Sequence, residues 1–316
     1  MENNSDTTVE HEFPPFIRIY KSGRVERLIV TSTVPAGTDP VTGVTSRDVL
    51  INPITGVSAR LYIPPDLPSD AKLPILVYFH GGGFVIESAT SPTYHNYLNL
   101  LVSKARILVV SVEYRLAPEH PLPTAYDDCW EVLASTVSGS FPDEWVSGYG
   151  DLGRLYLGGD SAGGNTTHHM AVKAASEGIK IKGLVICHPW FGWSEAIGSE
   201  SQDLVKKENN LKFLRLVYPE ATGLEDPIMN PMAAKERMEG VYKCEKVLVA
   251  VAQKDELRDK GKLYYDKLLE AVSSGEWNGH VEFYETEGED HVFYLLHNRG
   301  SDKAMEMMQK VVSFID

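Results

Sequence analysis

The chain changes its hydrophobic rhythm after residue 63. Before that point apolar and polar positions alternate. Ser46-Arg47-Asp48-Val49-Leu50-Ile51 and Gly56-Val57-Ser58-Ala59-Arg60-Leu61-Tyr62-Ile63 alternate on either side of a Pro-Ile-Thr-Gly turn, which predicts an antiparallel pair at a sheet edge. Ile17 to Leu28 alternates around Ser22-Gly23 and predicts a small hairpin. Residues 1–16 are polar until Phe13-Pro14-Pro15-Phe16. They predict a mobile tail leading into a segment that packs over something apolar.

Pro64, Pro65 and Pro68 mark a loop, and beyond them the strands become continuously apolar. Residues 74–79, 107–112, 155–157, 183–187 and 247–252 read as buried strands, with a last strand at 281–284. Helical patterns fall between and after them, at about 93–104, 124–137, 163–177, 260–273 and 302–314. Strands alternating with helices imply βαβ units, a mostly parallel sheet and helices on both faces. Residues from about 192 to 240 break the alternation. They carry no buried strand pattern, are rich in Gly, Ser, Glu, Asn and Lys, and hold one helix-like piece at 211–218. An excursion of this length after a core strand suits a lid over the catalytic edge, with a plain surface loop as the alternative.

With 316 residues the chain can bury one large α/β core or two smaller ones. The formal net charge of −14 argues against nucleic acid or an anionic membrane as the main partner. No run approaches the length of a membrane span. The polar, acidic residues 1–6 lack an apolar signal core, so the expected location is the cytoplasm. Cys129, Cys187 and Cys244 lie far apart and resemble neither a disulfide framework nor a metal site.

Candidate chemistry concentrates at the ends of the apolar strands. Gly159-Asp160-Ser161-Ala162-Gly163 matches G-x-S-x-G between an apolar strand and a helix. That context puts a serine hydroxyl on a tight turn within reach of a base and a substrate. His80-Gly81-Gly82-Gly83-Phe84 follows the strand ending at residue 79. Its glycines can turn several N–H groups toward one spot, which in ester chemistry is the oxyanion of a tetrahedral intermediate. The expected donors are Gly82 N–H, Gly83 N–H and Ala162 N–H. A phosphate loop is excluded because no Lys-Ser/Thr follows and G-x-G-x-x-G is not satisfied. His80 is expected to hold the loop rather than transfer protons. Asp255 lies just past a strand end, with Glu256 and Asp259 as rivals. His291 follows the last strand, giving the chain order Ser161, Asp255, His291 of α/β-hydrolases.

Other residues carry weaker readings. His168, His169 and His188 suggest a metal cluster, but adjacent histidines on one helix diverge, so no metal is expected. Trp190, Phe191 and Trp193 are candidates to line a substrate pocket or to pack a lid hinge. Phe84 and Tyr294 flank the candidate catalytic loops and are further pocket candidates.

Taken together, the chain resembles the plant carboxylesterases of the hormone-sensitive-lipase group. The resemblance rests on His80–Phe84, Val112–Pro121, Leu122–Trp130, Gly159–Asn165, Lys254–Asp259 and Asp290–Phe293. Phe16–Leu28 is similar to plant members in particular. It implies an α/β-hydrolase fold, a triad on Ser161, Asp255 and His291, and no cofactor. It also implies a single domain over residues 1–316, with a cap built from about 1–40 and 192–240. The substrate would be a small ester or a plant metabolite, and a homodimer is compatible with it. Within the group the chain is most similar to the 2-hydroxyisoflavanone dehydratase-like branch, especially at Lys254–Asp259 and the C-terminal stretch. The same scaffold also serves alkaloid-forming cyclases and gibberellin receptors. The retained His291 counts against a receptor, and the intact Ser161 and glycines favour hydrolysis over elimination.

Overall fold

The computed structural model describes residues 6–193, 195, 197–198, 204–296 and 299–316. Three strands lead the chain: β1 Val9–Phe13, β2 Ile17–Tyr20 and β3 Val25–Arg27, paired antiparallel in that order. The hairpin expected over 17–28 is present. The tail expected before it is corrected, because residues 9–13 add a third strand by pairing with β2.

The main sheet has eight strands: β4 Thr45–Leu50, β5 Ser58–Ile63, β6 Leu73–Phe79, β7 Leu108–Glu113, β8 Gly150–Asp160, β9 Gly183–Cys187, β10 Lys246–Ala252 and β11 His280–Thr286. Their spatial order is β4-β5-β7-β6-β8-β9-β10-β11. β5 runs antiparallel to both β4 and β7, and every other pairing is parallel. The edge pair and the parallel body thus follow the change of rhythm in the sequence.

Side-chain alternation splits the core into two layers. Ile75, Val77 and Phe79 of β6 join Leu108 and Val110 of β7 on one face. That face is covered by helices α2 Thr124–Ser138, α4 Ala162–Ser176 and α7 Arg258–Ser274. Leu76 and Tyr78 join Val109, Tyr156, Val185 and Leu248 on the other. Helices α1 Pro92–Ala105 and α8 Asp302–Ile315 cover it. Both faces are covered, which is why β6, β9 and β10 read as unbroken apolar runs.

Between β9 and β10 lie α5 Leu204–Val217, a 3₁₀ turn at Pro231–Ala233 and α6 Lys235–Val241. A further short helix, α3 Glu144–Tyr149, precedes β8. Neither α3 nor α6 has a strong apolar stripe, and neither was read from the sequence. α5 begins well before residue 211, and the sequence pattern does not show that part because its opening Leu-Val-Lys-Lys-Glu-Asn-Asn is mostly exposed and carries little apolar period. Residues 1–5, 194, 196 and 199–203 of the expected cap lie outside the described residues. Among the described residues, no helix is long and apolar enough to cross a membrane. All three cysteines are free and buried.

Candidate active site

Five loops at the C-terminal ends of parallel strands meet here: those after β6, β8, β9, β10 and β11. The junction of β8 and α4 is the tightest. Ser161 takes φ 54° and ψ −116°, a conformation rarely held by a side-chain-bearing residue. It is fixed on both sides, since Ser161 N–H donates to Cys187 O at 3.0 Å and Trp190 N–H donates to Ser161 O at 2.9 Å. Gly163 lets the helix start this close to the sheet, because a Cβ there would overlap the carbonyl of Phe79.

Ser161, His291 and Asp255 are hydrogen-bonded in series. Ser161 Oγ donates to His291 Nε2 at 3.1 Å, and His291 Nδ1–H donates to Asp255 Oδ2 at 2.7 Å. Asp255 Oδ1 accepts from Leu257 N–H at 2.8 Å. The rival acids are elsewhere: Glu256 pairs with Lys206, and Asp259 sits in the first turn of α7 against Arg258.

Burial and hydrogen bonding oppose each other at these groups. Burial pushes the Asp255 carboxyl up, but hydrogen bonds from His188 and His291 outweigh it and hold it well below the usual carboxylate range. Burial lowers His291, yet the hydrogen bond and charge of Asp255 outweigh it and raise the imidazole above its ordinary value.

The glycine loop lies beside Ser161. Gly82 and Gly83 have φ of 100° and 61°. A Cβ on Gly82 would overlap the carbonyl of Ile86. Among the described residues none accepts a hydrogen bond from Gly82 N–H, Gly83 N–H or Ala162 N–H. The loop is braced from beneath. His80 is fully buried and stacks on Tyr114 with ring centroids 4.1 Å apart. Tyr114 OH donates to His80 O at 2.6 Å. Burial brings the His80 pKa down to about 4, so the ring is a neutral brace.

Sequence reasoning missed several supporting residues. Asp160 accepts from Tyr78 OH at 2.8 Å and Tyr94 OH at 2.9 Å, and Gly81 N–H donates to Tyr94 OH at 2.7 Å. The residue before Ser161 is thereby tied to the glycine loop. Burial raises the Asp160 pKa to about 6, partly offset by the two tyrosine hydroxyls. Val112–Pro121 also acquires a structural meaning. Glu113 accepts from Ser88 Oγ and Ala89 N–H, and Arg115 clamps the buried Asp128 with a 2.7 Å ion pair.

The expected pocket residues separate. Trp190 is half-buried, beside Phe84 at 6.0 Å and Phe213 at 5.6 Å between ring centroids. Phe13 and Phe16 meet the same Phe213 at 5.4 and 5.9 Å. Phe213 also lies against Gly83. Trp193 is half-buried. Three expectations are corrected. Phe191 is 1% exposed and packs on Tyr264 and His168 in the core. Tyr294 is 4% exposed and packs on Tyr97 and His188 in the opposite layer. Phe84 is 1% exposed and packs under Trp190 against Tyr114 and Tyr126. Each ring is enclosed by other core side chains, so it packs rather than lines.

His168 and His169 diverge: His168 Nδ1 meets Tyr264 OH, while His169 Nε2 meets Ile228 O. Among the described residues one group has metal-like spacing: His188, Asp255 and His291. Its donor atoms are those of the hydrogen-bonded series and of a second bond from His188 Nδ1 to Asp255 Oδ2 at 3.0 Å.

A family model described as alpha/beta hydrolase fold matches residues 76–295, more than half of the chain. The chain belongs to this family. It is 43% identical to probable carboxylesterase 2 of Arabidopsis thaliana, over 98% of this chain and 96% of that one. It is 45% identical to tuliposide A-converting enzyme 2 of Tulipa gesneriana, over 98% of this chain and 79% of that one. Among solved structures, the hyperthermophilic esterase of Pyrobaculum calidifontis superposes with a TM-score of 0.67 at 26% identity, covering 85% of this chain and 84% of that one. The expected relationship to plant carboxylesterases is borne out. The expected cytoplasmic location is overturned by the tulip relatives, which are named chloroplastic or amyloplastic.

Proposed function

We propose that the chain is a serine carboxylesterase acting on small or specialised-metabolite esters. The observation that carries this reading is the hydrogen-bonded series Ser161–His291–Asp255 at a strained strand-to-helix turn. His291 Nε2 takes the Ser161 proton as Oγ attacks the ester carbonyl. Asp255 holds the imidazole in its Nδ1–H form and stabilises the imidazolium. The N–H groups of Gly82, Gly83 and Ala162 receive the developing oxyanion. His291 then protonates the departing alcohol and activates the water that cleaves the acyl-enzyme.

Residues 1–40 and 192–240 act as a cap on a single domain in this reading. Support comes from Phe13, Phe16 and Phe213, which meet over Gly83 and Trp190 and offer an apolar wall to the acyl or alcohol group. The tulip relatives, named for conversion of tuliposide A, favour a specialised metabolite over a bulk lipid.

Hydrolysis of p-nitrophenyl acetate, butyrate and octanoate by wild type and Ser161→Ala tests the reading. The expected outcome is Ser161-dependent turnover reduced at least about a thousandfold in the variant, with the chain-length preference sizing the wall. A variant retaining full activity would sink the proposal.

A further inference from the structure

Asp255 Oδ2 is shared by two imidazoles. His291 Nδ1 lies at 2.7 Å and His188 Nδ1 at 3.0 Å from the same oxygen. His188 is fully buried and Asp255 is 3% exposed. An ionised carboxylate only accepts, so His188 Nδ1 carries the hydrogen. Val292 N–H also points at this nitrogen from 3.3 Å and has no lone pair to receive there in that tautomer. His188 Nε2 is then a bare acceptor, and among the described residues it has no partner. The ring is walled by Phe293 and Tyr294. Burial lowers its pKa below the ordinary imidazole value, against the opposing hydrogen bond and charge of Asp255.

The backbone adds an independent sign. His188 has φ 46°, and Val292, the residue after His291, has φ 43°. With Ser161 at 54° this makes three side-chain-bearing residues in the left-handed region around one carboxylate. Such strain persists where surrounding contacts over-determine the geometry, and a β-branched valine is an especially poor tenant of it. A buried unpaired nitrogen and a strained backbone both count against stability, so His188 is not explained as packing.

We infer that His188 is a positioning residue: its Nδ1–H occupies part of the Asp255 charge and so sets how strongly Asp255 pulls on His291. The inference rests on the reading of Ser161, His291 and Asp255 as the reacting set. The other acids bearing on His291 are Asp160 and Asp290, and Asp290 also bears on His188. Without the His188 donor, more of the Asp255 charge falls on His291 and its imidazolium is stabilised. The pH at which His291 becomes a free base then rises.

The test compares wild type, His188→Leu and His188→Asn. The Asn variant places an amide N–H where Nδ1–H stood. Two quantities are read: the NMR titration of the His291 ring, and the pH profile of kcat/KM for p-nitrophenyl butyrate. In His188→Leu both midpoints are expected to move up by about half to one pH unit. Turnover at pH 6 then falls roughly three- to tenfold with KM little changed. His188→Asn is expected to return both midpoints toward wild type, which loss of packing alone would not do. An unmoved His291 titration in folded His188→Leu, or an Asn variant no better than Leu, overturns the inference. Should His188→Leu fail to fold, wild-type NMR decides. An Nδ1–H, non-titrating His188 ring between about pH 5 and 9 supports the inference, and an Nε2–H or titrating ring overturns it. The ring titration does not need turnover, so a chain that hydrolyses nothing defeats the esterase reading and leaves this measurement standing.

Discussion

At Ser161 the chain spends conformational strain to expose a hydroxyl. The position holds it because both backbone groups of Ser161 are tied to the β9 end, its N–H to Cys187 O and its carbonyl to Trp190 N–H. Gly163 is the residue that lets α4 start so close to the sheet. We predict that Gly163→Ala, whose Cβ would overlap Phe79 O, destabilises the fold by more than about 3 kcal/mol. Thermal or urea unfolding checks this, and a loss below about 1 kcal/mol would refute it. Ser161, Asp255 and His291 were legible because each follows a recognisable strand end. Asp160 stood inside the visible motif without a visible job, since Tyr78 and Tyr94 reach it only in the folded sheet. His188 was legible as a histidine but not as a partner of Asp255. Nothing in a one-dimensional pattern says which of two strand-end loops will lie side by side.

Elements followed their hydrophobic period closely where both faces or one stripe were buried. β9 covers the expected 183–187, and α8 runs from Asp302 to Ile315 against an expected 302–314. Period failed where an element is held mainly by its neighbours. β1 is largely exposed and exists by pairing with β2. The β1–β3 sheet is itself tied down through Arg27. Its guanidinium donates to Val85 O at 2.7 Å and Ala117 O at 3.3 Å, and forks onto Glu119 at 2.9 and 2.8 Å. Val85 directly follows the glycine loop and Phe84, so Arg27 ties the hairpin to the segment that leaves the loop. We predict that Arg27→Ala loosens residues 9–34 in hydrogen exchange and raises KM several-fold. The cost in global stability should be only about 1–2 kcal/mol, because the Glu119 end is partly exposed. Unchanged exchange in residues 9–34 would refute this.

The molecule as a whole gathers the β6, β8, β9, β10 and β11 loops at one edge because those strands are parallel. That gathering sets the pH response. His291 must be neutral to accept the Ser161 proton, and Asp255 raises its pKa above the ordinary 6.5. Activity is therefore lost as pH falls through a midpoint above 6.5, and kcat/KM rises as pH increases through it. Asp255, held below the usual range, stays ionised throughout that window. A kcat/KM profile measured from pH 5 to 9 checks the sign, and an acid limb centred well below 6.5 would refute it.

The sequence by itself determined the core strands and the five helices that cover them, the edge pair, and the three loop positions that carry Ser161, Asp255 and His291. Those features are local: they depend on side-chain period, on glycine at tight turns and on residues adjacent to a strand end. Only the tertiary structure decided which groups share an atom or a wall. It assigned Phe191 and Tyr294 to the core, brought Phe213 from α5 onto Gly83, and set His188 beside His291 on one carboxylate oxygen. Those contacts join residues far apart in the chain. They follow from strand order and close packing, to which no stretch of sequence taken alone refers.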